Sequence, residues 1–333
     1  MITINGDYSG RLDKYTFIDL FAGIGGFRLA LESFGGSCIY SSEWDAYAQK
    51  VYYDNFKEKP EGDISKIPVT DIPKHDILCA GFPCQAFSIS GKQKGFEDTR
   101  GTLFFDIARI VKHCLPRVVL LENVKNFARH DNGKTLQVVI NTLNELGYFV
   151  YYKVLNASHY GVPQKRERIY ILAIRLDVQA KDYSFPKPTF APVQLKNILL
   201  DNKETVQYFI KRNDVKFRDD LGVQNSFIEN SPMKPVRIGT VNKGGQGERI
   251  YHENGHAITL SAYGGGIGAK TGLYLIDGKV RKLAPRECAR LMGFPDSFII
   301  CPSESQAYKQ FGNSIVVDVL QHILIDLIKK EIL

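Results

Sequence analysis

Two side chains in this 333-residue sequence, Cys84 and Glu122, are of types that can act together on an unsaturated ring. Cys84 stands in the segment GFPCQ at 81–85, after a strand-like run, and Glu122 follows the next strand-like run. Cysteine reacts as its thiolate, which positive charge or helix amides near an exposed loop stabilise. A thiol beside a carboxyl group that can donate a proton suits addition to a ring whose neighbouring nitrogen must be protonated.

The other cysteines lack such surroundings. No two of the six cysteines are spaced as CxxC, so the sequence predicts neither a zinc site nor a disulfide framework. Cys79 lies inside an apolar run and is predicted to be a buried core residue. A lone cysteine is more often structural than catalytic, and the carboxyl partner at Glu122 is what makes Cys84 the candidate nucleophile.

A glycine-rich turn, AGIGG at 22–26, lies between a strand-like run over Thr16–Phe21 and a helix-like pattern over Phe27–Phe34. Its third glycine comes too early for the dinucleotide fingerprint G-x-G-x-x-G. Close approach of the backbone suits a nucleoside without a pyrophosphate, and S-adenosylmethionine is such a ligand. By itself the turn indicates only a nucleotide-type cofactor.

Three side chains further along the chain suit the rest of such a cofactor. Glu43 lies twenty residues after Gly23, at the end of the predicted second strand, where an acid commonly takes the ribose hydroxyls. Trp44 beside it can stack on adenine. Asp63, at the predicted end of a third strand, can accept a hydrogen bond from the adenine amine.

The charged segment QKRER at 164–168 has two interpretations. Charge runs of this kind are usually solvated turns. Beside a catalytic cleft, its alternating arginines Arg166 and Arg168 would instead hold a phosphate, a base carbonyl or Glu122.

Strand-like and helix-like patterns alternate over the first two thirds of the chain. This alternation predicts an α/β sheet with crossover helices, in which ligands lie at the carboxyl ends of the strands. Because the candidate residues follow strand-like runs, we expect them along one sheet edge. Further strands are predicted over Cys38–Ser42, Asp76–Ala80 and Arg117–Leu121, with Tyr151–Leu155 and Arg168–Ile174 as an antiparallel edge pair.

The chain changes character after a predicted linker at Ser184–Pro188. Eleven of the 29 glycines fall between residues 239 and 278, which predicts a small loop-rich β domain, the alternative being a flexible insertion. Strands are expected at Ile250–Tyr251 and Ala257–Leu260, a helix at Leu283–Leu291, and a core element with strong apolar periodicity over Gln306–Ile328.

The formal net charge of +7 favours a polyanionic partner without proving one. Met1–Lys14 is polar, and no apolar run approaches the roughly 20 residues needed to cross a bilayer. Ile315–Ile332 is apolar but broken by polar residues, so it is predicted to be an amphipathic packing helix. We expect a soluble, cytoplasmic protein.

Six segments taken together resemble the cytosine-5 DNA methyltransferase family, in order and over nearly the whole chain. One residue departs from this resemblance: the family pattern leads us to expect a bulkier residue where this chain has Gly268. The six segments are DLFAGIGG at 19–26, GFPCQ at 81–85, ENV at 122–124, QKRER at 164–168, RECARL at 286–291 and QFGNS at 310–314.

The resemblance implies a role for each matching residue. Cys84 would attack C6 of cytosine, Glu122 would bind N3 and the exocyclic amine, and Arg166 and Arg168 would support the catalytic site. The implied cofactor-binding residues are Phe21, Gly23, Ile24, Gly26, Glu43, Trp44, Asp63, Pro83 and Asn313, and the implied DNA-binding residues are Ser88, Ser90, Gln246, Arg249, Thr259 and Tyr263.

The resemblance also implies the fold and its division. The fold would be an α/β, Rossmann-like S-adenosylmethionine-dependent methyltransferase fold, with a mostly parallel sheet, one antiparallel strand and helices on both faces, plus a small β target-recognition domain. Residues 1–190 and 305–333 would form the catalytic domain, 191–284 the target-recognition domain and 285–304 a hinge.

The implied activity is that of a DNA (cytosine-5-)-methyltransferase. It would convert S-adenosylmethionine to S-adenosylhomocysteine without a metal, acting on a cytosine flipped out of duplex DNA in the site 5′-GCGC-3′. The enzyme would be a bacterial cytoplasmic monomer, associated with the nucleoid through DNA, with no membrane partner. A cognate restriction endonuclease would act separately, as in a restriction-modification system.

Three other functions share some of these features. An RNA (tRNA) cytosine-5 methyltransferase would use the same cysteine and acid, but the glycine-rich recognition region argues against it. A nicotinamide-dependent oxidoreductase would share the first turn and leave the pairing of Cys84 with Glu122 unexplained. A DNA-binding regulator without turnover would have no need of Cys84.

Overall fold

The computed structural model describes residues 8–83, 103–178, 182–218, 233–263 and 266–333. Contacts between Cα atoms divide the chain into two compact units. The first, the sheet unit, runs to Leu155 and includes Glu167–Pro186 and Leu320–Leu333; the second, the loop unit, comprises Asn156–Arg166 and Lys187–Val319. The predicted boundaries at 190, 284 and 304 stay a prediction.

The sheet unit is built on six strands in the order β2-β1-β3-β4-β6-β5. Neighbouring strands among the first four are parallel, and β6 runs antiparallel to β4. The predicted Rossmann-like α/β fold is confirmed. The strands are β1 (Thr16–Leu20), β2 (Ser37–Ser42), β3 (Ile77–Gly81), β4 (Val118–Val124), β5 (Tyr148–Asn156) and β6 (Glu167–Arg175).

Alternate residues of the central strands form the core with two helices. Leu78 and Leu121 project to the same core as Phe104 and Val139, and all four are fully buried or nearly so. A strand repeats every two residues, so an apolar run buried on both faces is what a central parallel strand requires. The helices of this unit are α1 (Gly26–Glu32), α2 (Ala46–Phe56), α3 (Leu103–Cys114) and α4 (Lys134–Glu145).

The loop unit contains a five-stranded sheet in the order β11-β10-β9-β8-β7. Its small core includes Ile238, Val241, Ile250 and Leu273. A small, loop-rich β region is therefore present as predicted. The strands are β7 (Lys216–Phe217), β8 (Arg237–Thr240), β9 (Arg249–His252), β10 (Leu273–Ile276) and β11 (Lys279–Arg281), and the helices are α5 (Pro285–Leu291) and α6 (Glu304–Asn313), with α7 (Val317–Lys329) continuing into the sheet unit.

Two sequence predictions of secondary structure are wrong. No strand covers Ala257–Leu260, where Ala257 only makes an isolated bridge with Gln164. No strand ends at Asp63: the residues directly before it make only an isolated bridge, between Glu61 and Ser42, and Asp63 caps the 3₁₀-helix Ile64–Lys66 that follows. The core element expected over Gln306–Ile328 consists of two helices, α6 and α7. The 3₁₀-helices are Ile64–Lys66, Val69–Asp71, Lys125–Gly133, Ala157–His159, Leu195–Ile198, Asn202–Glu204, Val206–Tyr208 and Gln246–Glu248.

The helical stretch Glu304–Lys329 is long and apolar enough to cross a membrane by length and composition alone. However, 72% of its most apolar window is buried within the protein, as is usual for helices in a protein core.

Candidate active site

The glycine-rich turn at the end of β1 is held in a conformation that few residues adopt. Phe21 has a φ of 56°, Gly23 of 57° and Gly25 of 87°, all in the left-handed region. A Cβ on Gly25 would lie 2.3 Å from the ring of Phe56, whereas a Cβ on Gly23 would meet nothing within 4 Å. Gly25 is therefore required by packing, and Gly23 borders open space where a ligand can approach the backbone.

Glu43, directly after β2, binds the turn with its carboxylate. One oxygen accepts the N–H of Gly23 at 2.8 Å, and the other accepts the N–H of Asp45 at 2.8 Å. Burial raises the pKa of Glu43, and the N–H groups of Asp45 and Gly23 act in the opposite direction. Because each carboxylate oxygen can accept more than one hydrogen bond, Glu43 can hold the turn and still accept from a ligand hydroxyl.

Two further predicted cofactor residues lie near the end of β2. Trp44 is 80% exposed, an unusual position for the largest apolar side chain. Asp63 is brought near the end of β2 by a backbone hydrogen bond two residues earlier in the chain. In this bond the N–H of Glu43 donates to the carbonyl of Glu61. Asp63 accepts from the Ser65 hydroxyl at 2.7 Å, which lowers the pKa of its carboxyl. The other implied residues of this group are Ile24, which is buried, Gly26, which begins α1, and Pro83, which is exposed.

A buried carboxyl under the turn was not singled out from the sequence. Asp19, in the middle of β1, is fully buried, and neither of its oxygens has a hydrogen-bond partner among the described residues. Burial raises the pKa of Asp19 to about 8, and the positive charge of Arg28 only partly offsets this. Asp19 therefore carries its proton near neutral pH in the folded protein.

We expect Asp19 to make the protein less stable as pH rises. The unfolded chain releases this proton near pH 4, whereas the native chain keeps it up to about pH 8. Between these values the native state binds more protons, so the free energy of unfolding falls with pH by up to about 1.4 kcal/mol per unit. In urea denaturation, the free energy of unfolding of Asp19→Asn should fall less between pH 5.5 and pH 7.5 than that of the wild type.

Asp54→Asn, which removes a carboxylate from the surface pair with Lys50 on α2, is the matched control for that experiment. Its pH dependence should follow the wild type. Equal pH dependence in Asp19→Asn and the wild type would show that Asp19 is ionised in the native state.

Glu122 and Arg168 form an ion pair at the carboxyl end of β4. The Arg168 Nε lies 3.1 Å from the Glu122 Oε1, and both side chains are largely buried, at 15% and 12% exposed. Gly81, the last residue of β3, is the registered neighbour of Glu122, and a Cβ on Gly81 would lie 3.9 Å from the Glu122 Oε2. The chain thus passes beside the Glu122 carboxylate as it leaves β3 toward residue 84.

Asn123 links these two strand ends and was missed by sequence reasoning. Its buried side-chain amide donates to the carbonyl of Phe82 at 2.9 Å, and its amide oxygen accepts the N–H of Val124 at 2.8 Å. The Phe82 ring packs against Phe127 at 5.5 Å between centroids. Asn123 therefore anchors the chain directly before Cys84. The signal available in the sequence was its place beside Glu122 in the ENV segment.

Arg166 belongs to the loop unit. Its guanidinium is almost fully buried and donates to the carbonyls of Leu260 at 3.1 Å, Gly312 at 2.9 Å and Ser314 at 2.6 Å. A Cβ on Gly312 would lie 2.3 Å from the Ala262 nitrogen, so the end of α6 touches the neighbouring loop. Arg166 thus joins backbone segments, whereas Arg168 contacts the candidate acid.

The remaining candidates also lie in the loop unit. Gln246 is exposed in the connection between β8 and β9, and Arg249 begins β9. Thr259 donates its hydroxyl to the Lys165 carbonyl at 2.5 Å. Tyr263 is 72% exposed, and Asn313 is exposed at the last position of α6. Three predicted site residues, Cys84, Ser88 and Ser90, lie outside the described residues.

Comparison with known proteins shows one family over nearly the whole chain. A family model for C-5 cytosine-specific DNA methylases matches residues 15–329. The Type II methyltransferase M.HhaI of Haemophilus parahaemolyticus is 63% identical over 313 residues, covering 94% of each chain. The Type II methyltransferase M.HpaII of Haemophilus parainfluenzae is 44% identical over 330 residues, covering 93% of this chain and 88% of its own.

Similarity to solved structures supports the fold. The crystal structure of the S. pombe Dnmt2 methyltransferase matches with a TM-score of 0.71 at 22% identity, covering 95% of this chain and 99% of that one. The sequence matches favour DNA over RNA as the substrate, and a methyltransferase over an oxidoreductase or a regulator without turnover.

Proposed function

Because this chain belongs to the C-5 cytosine-specific DNA methylase family, we propose that the strand ends carrying Cys84, Glu122 and Arg168 are its catalytic site. The protein methylates C5 of cytosine in DNA. The observation that carries the site assignment is the Glu122–Arg168 ion pair, beside the point where the chain leaves β3 toward Cys84. Cys84 follows Gly81 by three residues along the chain, and an extended chain advances at most about 3.6 Å per residue.

The proposed chemistry begins with addition of the Cys84 thiolate to C6 of the cytosine ring. Glu122 donates a hydrogen bond or proton at N3, so that C5 gains electron density and becomes nucleophilic. After C5 has accepted the methyl group, loss of the C5 proton allows the bond between C6 and the Cys84 sulfur to break. Arg168 keeps the Glu122 carboxyl aimed at the ring through their ion pair.

S-Adenosylmethionine supplies the methyl group of this family's reaction, and the turn after β1 fits it. Gly23 leaves room for a ligand beside the backbone, Trp44 presents an exposed ring for stacking, and Glu43 retains acceptor capacity for ribose hydroxyls. Phe21, Ile24, Gly26, Asp63, Pro83 and Asn313 complete the proposed cofactor set, with S-adenosylhomocysteine as product.

For the DNA, we propose that side chains of the loop unit read the sequence. Arg249 is suited to guanine, the commonest partner of arginine in specific contacts, and Tyr263 presents a largely exposed ring. Gln246, with Ser90, would fill the space left by the extruded base, and Ser88 and Thr259 would contact the DNA. Together with the 63% identity to M.HhaI, this set supports 5′-GCGC-3′ as the target.

A methylation-protection assay tests the activity and the target together. Duplexes containing GCGC are expected to incorporate labelled methyl groups from S-adenosylmethionine, and duplexes with one substituted base pair to incorporate far less, since a mismatched base pair costs about 1–3 kcal/mol. Methylation of a different DNA sequence would rule out GCGC as the target but would still support the proposed methyltransferase activity. Methylation of tRNA with none of duplex DNA would overturn the function.

The proposed setting is that of a bacterial restriction-modification system. The enzyme would act as a cytoplasmic monomer on duplex DNA and without a metal, while a separate endonuclease cuts unmodified sites. The Type II names of the relatives support such a setting.

A further inference from the structure

The connection between β8 and β9 presents Gln246 on a tightly held turn. Gln246 is exposed, but the backbone is fixed on both sides of it. The N–H of Gly245 donates to the Glu248 carboxylate at 2.8 Å, and the carbonyl of Gly247 accepts the N–H of Gly268 at 2.8 Å. One exposed side chain between two anchored neighbours is the arrangement expected of a preorganised contact residue.

Gly268 is required for the second anchor. A Cβ at this position would lie 2.9 Å from the carbonyl carbon of Gly272 and 3.0 Å from the carbonyl oxygen of Gly247. Both atoms belong to the backbone, so a larger residue would displace the segment. The departure at Gly268 from the family resemblance thus coincides with direct backbone support for the turn.

Glu248 and Asp214 hold the first half of the turn through Asn242. The Glu248 carboxylate accepts the Asn242 side-chain amide at 2.8 Å, in addition to the Gly245 N–H. Asp214 accepts the Asn242 backbone N–H at 2.9 Å and the Arg212 guanidinium at 2.6 Å. These hydrogen bonds lower the pKa values of both carboxyl groups, so both are ionised at neutral pH.

Asn242 is the centre of this arrangement. Its φ of 47° lies in the left-handed region, which asparagine tolerates better than most residues. Its side-chain oxygen accepts from Arg212 while its side-chain nitrogen donates to Glu248. A single residue therefore connects a cation and two carboxylates to the turn that carries Gln246.

We propose that Arg212, Asp214, Asn242 and Glu248 form a brace that positions Gln246 for its contact with DNA, with Asn242 as the positioning residue. This inference rests on the proposed role of Gln246. The brace lowers the entropy lost when the turn binds DNA, because hydrogen bonds already fix the conformation of the turn in the free protein. None of the four brace residues need touch a base to affect recognition.

A double-mutant cycle on DNA affinity tests the brace. Asn242→Gly keeps the left-handed backbone and the N–H to Asp214 but removes both side-chain links. It is expected to weaken binding to the target duplex found by methylation protection about five- to tenfold, as for one or two lost hydrogen bonds. In a Gln246→Ala background the same substitution should have little further effect, since the brace then has nothing to position.

Asn132→Gly is the matched control, because Asn132 is an exposed asparagine with a φ of 54° in the sheet unit. It should leave affinity unchanged. Glu248→Gln is a second brace variant, and the melting temperature of each protein checks that it is folded. Equal effects of Asn242→Gly with and without Gln246 would overturn the brace alone. No effect of Gln246→Ala by itself would overturn the role of Gln246 and the brace with it.

Discussion

Replacing Cys84 with serine is expected to abolish methyl transfer, lowering the single-turnover rate by ~10⁴-fold or more, as for other covalent nucleophiles. A serine hydroxyl is far less acidic than a thiol, so the oxygen nucleophile is hardly formed near neutral pH. Radiolabel transfer to a target duplex, with DNA and S-adenosylmethionine both saturating, measures this directly.

A covalent trap identifies the bond that Cys84 makes. Duplex DNA with 5-fluorocytosine at the target has no C5 proton to lose, so the enzyme should remain attached through sulfur to C6 after methyl transfer. Mass spectrometry of the digested complex should place the adduct on the peptide containing Cys84. Cys301→Ser, which alters a buried thiol of the loop unit, should form the adduct as the wild type does. An adduct at another residue, or none with methyl donor present, would refute the mechanism.

Replacing Glu122 with glutamine is expected to lower the single-turnover rate by ~10²–10⁴-fold, the usual contribution of a general acid. Glutamine keeps the size of the side chain and an oxygen that can face Arg168, 3.1 Å away in the native pair, but it cannot supply a proton to N3. DNA affinity, measured separately by fluorescence anisotropy, should change much less than the rate, because the lost interaction is made chiefly in the transition state.

Glu167→Gln is the matched control for this experiment. Glu167 begins β6 next to Arg168 and forms an exposed pair with Lys125, with its Oε1 2.8 Å from the Lys125 Nζ. Exposed ion pairs contribute little, so its rate should stay within about threefold of the wild type. If the rate of Glu122→Gln also stayed within about threefold of the wild type, another group would have to protonate the ring.

Much of the sheet edge was predictable because its signals are local. Buried strands appear as short apolar runs, and β1, β3 and β4 begin and end within a few residues of the predicted bounds. Parallel strands place their carboxyl ends together, so Glu43, Gly81 and Glu122 could be assigned to one edge before any contact was known. The sequence also supported a family resemblance, which the comparisons confirm.

Other features depend on partners far away along the chain. Asp63 follows a pattern that predicts a strand end, but its carboxylate caps a 3₁₀-helix instead. Asp19 lies in the strand-like run Thr16–Phe21, and only packing shows that its carboxyl is buried without a hydrogen bond from the described residues. Desolvation depends on all surrounding elements, so no local pattern reveals it.

The segment at 164–168 shows both what local sequence can predict and what depends on contacts with distant residues. The sequence by itself determined that this segment carries two arginines suited to carbonyls or carboxylates. It also determined that a thiol and an acid, Cys84 and Glu122, follow two other strand-like runs. Only the tertiary structure decided that Arg168 pairs with Glu122, whereas Arg166 joins the carbonyls of Leu260, Gly312 and Ser314. Those acceptors are backbone groups about 90 to 150 residues away, and any residue type offers the same carbonyl. Such partners leave no mark in the sequence, because they are selected by folding and not by side-chain type.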